Sequence, residues 1–356
     1  MYDIILAFIT AFTLTYFAIP SIINISTVKR LTDEPGERRS HTVSTPSLGG
    51  VGIFAGMIFS IVLWTPFMHF GDLQYILCAF IIIFLIGVKD DILPMSPRNK
   101  MIGEVLAASI LVFKSHVKLT SFYGLFGIQE LPEFVSVPLS IFTIIVIINA
   151  FNLIDGINGL SGSIGVLISF TLGVWFFSTD HYEFAVTAFS LAGALIAFLK
   201  YNYTPAKIFM GDTGSLLVGL VCSILTIKFI EFHRLLPVTS PFYLKSVPAV
   251  AIGILILPLF DTLRVFTTRV FQGKSPFYPD RSHIHHLLID SGLTHMQATY
   301  LLVVVNILFI IMVFSLQSIG TLPLLILTLG LAAGLSGALY FSVQRKKAKK
   351  AKSASS

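Results

Sequence analysis

Apolar runs long enough to cross a bilayer, roughly 17–25 residues each, recur along this whole 356-residue chain. A segment at that depth has no water to bond its backbone, and a helix satisfies every peptide group internally. The runs therefore predict helices, at about 2–27, 50–68, 73–88, 101–115, 134–151, 160–178, 183–200, 214–231, 246–267, 297–316 and 322–343. The third and fourth are short. Composition agrees: 55% of residues are hydrophobic and 12% charged, where a soluble domain has about a quarter charged. Mean hydropathy is +0.86. The expected fold is an all-α integral membrane protein, a polytopic bundle of about 11 transmembrane helices. One multi-span domain covers 1–343, and a basic tail, expected to be disordered, covers 344–356.

Positive charge orients the bundle. With Met1 outside, alternating sides put 19 of the 24 Lys and Arg residues within cytoplasmic segments, and 13 against 5 without the tail. The N-terminus is thus expected outside and the C-terminus in the cytoplasm. The inside loops are 28–49, 88–100, 149–160, 201–215 and 268–296. The basic balance serves membrane orientation, so nucleic acid is not an expected partner. The first span has no basic segment before it and no small-residue cleavage site after it, which fits a retained helix. Cys78 and Cys222 fall in predicted spans, so no disulfide framework is implied.

Polar clusters gather in these inside loops. In "NAFNLIDGINGL" (149–160), Asn149, Asn152, Asp155 and Asn158 step by three residues, a drift of about 60° each on a helix. They meet at one site only if the helix ends, which Gly156 and Gly159 allow; an ordinary polar turn is the plain alternative. In "GVKDDILPMSPRNK" (87–100), adjacent Asp90 and Asp91 close one span and Lys100 opens the next. Neighbouring carboxylates suit metal binding or proton abstraction unless the turn is simply solvated. Asp212 in "FMGDTGS" either caps a helix or holds a cation whose phosphate ligands the helix dipole favours. "SPFYPDRSHIHHLL" (275–288) carries Arg281, His283, His285 and His286. Its H-x-H-H spacing lacks a cysteine or fixed acidic partner for zinc, whereas Arg and His donors suit phosphate and sugar hydroxyls. "GERRSHTVSTPSLGG" (36–50) has no definite role beyond allowing close backbone approach at "TPSLGG".

Carboxylates and amides beside Lys, Arg and His at the inner membrane edge match a phosphate-bearing substrate with Mg2+. Phosphoryl transfer there is largely positioning and charge neutralisation. An ion-coupled transporter would instead place such groups near the midplane, within two related halves.

The set "KDD…K", "NAFNLIDGINGL", "FMGDTGS" and "PDRSHIHHL", in this order on successive inside loops, resembles the polyprenyl-phosphate N-acetylhexosamine-1-phosphate transferases. The resemblance covers essentially residues 1–343. It implies transfer of a sugar-1-phosphate from a UDP-amino sugar to a polyprenyl phosphate lipid, release of UMP, dependence on Mg2+ or Mn2+, and a homodimer in the bacterial inner (plasma) membrane. It also implies roles. Asp90 would act on the lipid phosphate with Asp91 supporting it. Asp212, with Asn152, would hold the metal. Asp155, counted with Asp90 and Asp91 as catalytic, and Asn158 would lie by the nucleotide, and Asn149 would also bind substrate. Lys100 would touch the diphosphate, and Arg281, His283, His285 and His286 would hold diphosphate and sugar. Many bacterial members have an aspartate where this chain has Asn158, so no acid–base role is expected there. "HIHH" looks like the branch that uses UDP-GlcNAc and undecaprenyl phosphate to begin O-antigen, capsule or teichoic-acid linkage units. Other UDP-HexNAc donors, or UDP-muramoyl-pentapeptide, are the alternatives.

Overall fold

The computed structural model describes residues 2–33, 45–273 and 282–354, without the side chains of 32–33 and 349–354. Each apolar run becomes helix. In chain order these are α1 (Tyr2–Val28), α2 (Gly49–Trp64), α3 (Leu73–Ile92), α4 (Pro97–Lys114), α5 (Glu133–Ile154), α6 (Leu160–Ser178), α7 (Tyr182–Asn202), α8 (Gly211–His233), α9 (Val247–Ile254) and α10 (Ile256–Phe271), then α11 (Ile284–Asp290), α12 (His295–Ser315) and α13 (Thr321–Ala354). Among the described residues, seven helices are long and apolar enough to cross a membrane, or eight if α9 and α10 form one bent span. That is fewer than the eleven crossings expected. α2, at 16 residues, falls short of a spanning length.

α8 forms the axis of the bundle. Every residue from Thr213 to Ile230 is buried, as befits a helix apolar all round, and α2, α3, α5, α6, α7 and α9 pack about it. α3 approaches it most closely at Gly87, where an added Cβ would lie 2.4 Å from the Thr213 Cα. Only a glycine permits that contact, and it delivers the next turn of α3, with Asp90 and Asp91, to the first turn of α8.

The ninth run, expected as a single span over 246–267, is broken. α9 and α10 meet at an angle of 83° about Leu255, whose backbone leaves the helical region. The broken ladder is repaired from α12. Asn306, fully buried, accepts the Leu257 N–H at 3.3 Å and donates to the Ile254 carbonyl at 3.2 Å. Pro258, which has no N–H to offer, lies in the first turn of α10, where none is needed. Breaks of this kind are tolerated when neighbours satisfy the freed backbone groups.

α13 continues through Ala354, whereas the sequence predicts disorder from 344. Its Ala, Lys, Arg and Gln residues are strong helix formers. Lys346 donates to the Ser291 carbonyl at 2.8 Å and Lys347 pairs with Asp290 at 2.8 Å, fastening the helix to the end of α11.

Candidate active site

Where α3 and α5 end and α8 begins, the bundle opens into a cavity of about 530 Å3. Asp90, Asp91, Asn152, Asp155, Asn158 and Asp212 all line it, with His286 and His295 at another wall. Three loops separated by scores of residues thus meet at one end of the bundle.

Lys100, in the first turn of α4, stands between two carboxylates. Its ammonium lies 3.3 Å from Asp90 Oδ2 and also donates to Asp212 Oδ2. α4 is set by Ser96, whose hydroxyl accepts the Asn99 N–H at 3.4 Å, and by Pro97 at its first position. Asp90 is fixed from its other side by the Met95 N–H, 2.5 Å from Oδ1.

Asp91 has a different part from the one expected beside Asp90. Its Oδ1 accepts the Asp212 N–H at 2.7 Å, and its Oδ2 accepts the Thr213 N–H at 3.0 Å and the Thr213 hydroxyl at 2.5 Å. It caps α8 from another helix, satisfying donors that a helix start leaves free. The Asp212 side chain is thereby released from capping and turns to Lys100 and Asn152. Asn152 donates its amide to Asp212 Oδ1 and to Ser215 Oγ, both at 3.0 Å. Its carbonyl oxygen makes no hydrogen bond among the described residues.

α5 ends at Ile154, so the spiral of polar residues is cut as the glycines predict. Asp155 follows, with no hydrogen bond or ion pair to its carboxylate among the described residues. Burial, together with the charges of Asp212 and Asp91, holds it well above the ordinary carboxylate range. Asn158 donates to Thr204 Oγ1 at 2.9 Å. Asn202, which the sequence reading missed, ties the two loops together: it accepts the Gly159 N–H at 2.7 Å and donates to the Ile208 carbonyl at 2.8 Å.

The histidines divide. His286 lines the cavity. His285 does not: it is buried, its ring set so close to Gly156 that an added Cβ there would lie 2.3 Å from Nε2. Among the described residues, neither of its ring nitrogens has a hydrogen-bond partner. Burial, and next the neighbouring His286, push its pKa down to about 3, so the ring is neutral. His283 is also buried and is bonded through Nδ1 to Asp261 at 2.9 Å. Asp261 accepts the Ile284 N–H at 2.9 Å as well and pairs with Arg264 at 2.9 Å, starting α11 and fixing its orientation. A carboxylate inside an apolar run was the signal for Asp261. Arg281 lies outside the described residues.

Asn149 is not brought to the cavity. One helical turn before Asn152, it donates to the buried Glu104 of α4 at 2.6 Å. Glu104 also escaped the sequence reading, although a carboxylate within an apolar helix is itself a signal. Among the described residues, no three His, Cys, Asp or Glu side chains form a metal-holding group by themselves. What the cavity offers is paired carboxylates already sharing a cation, with the Asn152 and Asn158 side-chain amides beside them, groups of the kind that bind phosphate and its counter-ions.

The chain is similar in sequence to known proteins. Residues 73–230 match the model of glycosyl transferase family 4. A Bacillus subtilis (strain 168) protein named as a probable undecaprenyl-phosphate N-acetylglucosaminyl 1-phosphate transferase is 31% identical over 320 residues, covering 89% of this chain and 86% of that one. A decaprenyl-phosphate N-acetylglucosaminephosphotransferase of Mycobacterium tuberculosis (strain ATCC 25618 / H37Rv) is 30% identical, covering 82% and 77%. The undecaprenyl-phosphate alpha-N-acetylglucosaminyl 1-phosphate transferase of Escherichia coli (strain K12) is 30% identical, covering 76% and 72%. With these motifs gathered about one cavity and this likeness along most of its length, the chain belongs to glycosyl transferase family 4.

Proposed function

We propose that this protein transfers N-acetylglucosamine-1-phosphate from UDP-GlcNAc to undecaprenyl phosphate, releasing UMP, at the cytoplasmic edge of a bacterial plasma membrane. It would begin a cell-envelope polysaccharide. The observation that carries this reading is the meeting of Asp90, Lys100, Asn152, Asp155 and Asp212 from distant segments around one cavity of about 530 Å3. The names of its relatives support the substrates, and the excess of Lys and Arg in the predicted inside segments supports the side of the membrane.

In this reaction an oxygen of the lipid phosphate bonds to the sugar-bearing phosphorus of the donor. The bond from that phosphorus to the bridging oxygen breaks, and its electron pair leaves with UMP. Asp90, held by Met95 and Lys100, orients the entering phosphate. The Lys100 ammonium offsets charge on the diphosphate. Asn158 presents an amide to uracil, and His286 with His295 forms the wall facing the sugar.

A magnesium ion fits the donors present. Magnesium prefers one or two carboxylates and completes its shell with phosphate oxygens and water. Asp212 and Asp90 already share the cationic end of Lys100, and the Asn152 carbonyl oxygen is unengaged among the described residues. Asp212, with Asn152 beside it, would hold Mg2+ or Mn2+, and the ion would supply charge neutralisation for the diphosphate.

The test is purified protein with undecaprenyl phosphate, Mg2+ and a panel of UDP-GlcNAc, UDP-GalNAc and UDP-muramoyl-pentapeptide. Lipid-linked product and UMP in equal amounts, greatest with UDP-GlcNAc, are expected. Carriage of intact UDP-sugar across vesicles without either product would overturn the reading.

A further inference from the structure

A second opening of about 750 Å3 lies between α6, α7 and α12 and shares no lining residue with the candidate active site. Each helix gives it one stripe at i, i+3, i+4 and i+7 spacing, and those of α6 and α7 run from polar to apolar away from the active-site loop. At the end near that loop stand Ser163 of α6, Lys200 of α7 with Tyr203 just after it, and Met296 and Thr299 of α12. One to two turns further along, the walls become Phe170, Ile196 and Val303. A groove polar at one end and apolar along its depth has the profile of an amphiphile.

Its polar end carries an uncompensated cation. The Lys200 ammonium donates to the Tyr16 hydroxyl and lies 4.3 Å from the centre of that ring. No carboxylate pairs with it among the described residues. The same opening is lined by Ser163 and Tyr203, whose hydroxyls are 3.2 Å apart. An ammonium with two hydroxyls at the mouth of an apolar groove complements a phosphate headgroup whose acyl chains continue into the bilayer.

We propose that this groove binds an anionic phospholipid of the surrounding membrane, with its phosphate on Lys200, Ser163 and Tyr203 and its acyl chain between α6 and α12. The occupant is not the acceptor lipid of the reaction, because the groove shares no lining residue with the cavity that holds Asp90. The groove nonetheless touches the loop from Asp155 to Gly159: the Thr299 hydroxyl donates to the Asn158 carbonyl at 2.8 Å. A bound lipid thereby stiffens the wall that carries Asn158.

The test is native mass spectrometry of the full-length protein, taken into mild detergent from vesicles of four parts phosphatidylcholine to one part phosphatidylglycerol. The wild type is expected to retain phosphatidylglycerol out of proportion to its share. Lys200→Gln should lower that retention about fivefold, the effect of one basic residue worth roughly 1 kcal/mol at a membrane surface. Val166→Trp, which fills the groove, should abolish it; Lys200 is exposed, so its substitution tests the idea even if the tryptophan disturbs folding. Equal retention in wild type and Lys200→Gln, or retention of phosphatidylcholine in proportion to its supply, would sink the proposal. So would displacement of phosphatidylglycerol by added undecaprenyl phosphate at equal concentration. No transfer activity is measured, so the result stands apart from the reaction proposed above.

Discussion

Asp91 caps a helix whose second residue, Asp212, lies 121 residues later in the chain: its Oδ1 holds the Asp212 N–H at 2.7 Å and its Oδ2 the Thr213 N–H at 3.0 Å. The two adjacent aspartates of "KDD" therefore divide their labour. Asp90 faces the cavity and its cation; Asp91 builds the start of α8 that points Asp212 at the same cation.

This division predicts different failures. Loss of a side-chain cap costs about 0.5–2 kcal/mol, so Asp91→Ala should lower the thermal midpoint in detergent and reduce turnover with it. Asp90→Ala should leave the midpoint near wild type and abolish turnover. Thermal unfolding read beside the transfer rate decides the matter, and an unchanged midpoint for Asp91→Ala would count against the cap.

Lys100 bridges Asp90 and Asp212. Charged hydrogen bonds contribute about 1.5–3 kcal/mol, so Lys100→Gln should cost roughly 10- to 100-fold in kcat/KM for the UDP-sugar. It also frees two carboxylates from a competing cation, so the Mg2+ concentration giving half-maximal rate should fall. A variant needing more Mg2+ than wild type would show that Lys100 does not compete for that place.

Asp155 gives a pH signature. Its carboxyl is raised well above the ordinary range by burial and by the Asp212 and Asp91 charges, so the folded state favours the protonated form more than the unfolded state does. Stability from this group is present below the unfolded carboxylate pKa of about 3.9 and is lost as pH rises through the raised value. Without divalent cation, the thermal midpoint of the wild type should fall over that window. Asp155→Asn should flatten the fall, and Mg2+ should reduce it in the wild type. Parallel curves for the two proteins would remove Asp155 as its cause.

His285 has the opposite sign. With its pKa pushed down to about 3, the ring stays neutral in the folded protein while the unfolded chain takes up a proton near its ordinary value of about 6.5. Stability is present above that value and is lost as pH falls toward 3. His285→Phe, which keeps a ring against Gly156, should lessen acid lability as read by unfolding at pH 4 and pH 7. Equal lability in both proteins would contradict a buried neutral ring.

The fold was largely legible because a run's length and apolarity declare a helix without reference to its neighbours. Asp90, Asn152, Asp155 and Asp212 were legible for a related reason: polar groups at the ends of apolar runs are costly. What escaped depends on partners distant in sequence. Asn149 resembles its neighbours in "NAFNLIDGINGL" but faces Glu104, 45 residues earlier. His285 belongs to the same "HIHH" as His286, yet one ring packs behind Gly156 and the other lines the cavity. In "GILILPLFD" the local signal is Pro258, which has no N–H to give the Ile254 carbonyl, but the side chain that makes the break tolerable, Asn306, lies 52 residues from Ile254.

That last pairing carries its own prediction. Asn306 bonds both sides of the break, and α10 beyond it carries Asp261, which holds His283 and the start of α11. Asn306→Leu leaves the Leu257 N–H and Ile254 carbonyl buried without partners, a cost of about 1–3 kcal/mol for each unsatisfied group. The break then loses its support, and a shift of α10 carries Asp261 and the histidine segment away from the cavity. The variant should show a lower thermal midpoint and a KM for UDP-sugar raised severalfold. Asn306→Gln, which keeps both bonding functions on a longer arm, should recover part of each loss. A variant less stable but with unchanged KM would mean that the break supports the bundle without setting the position of the histidines.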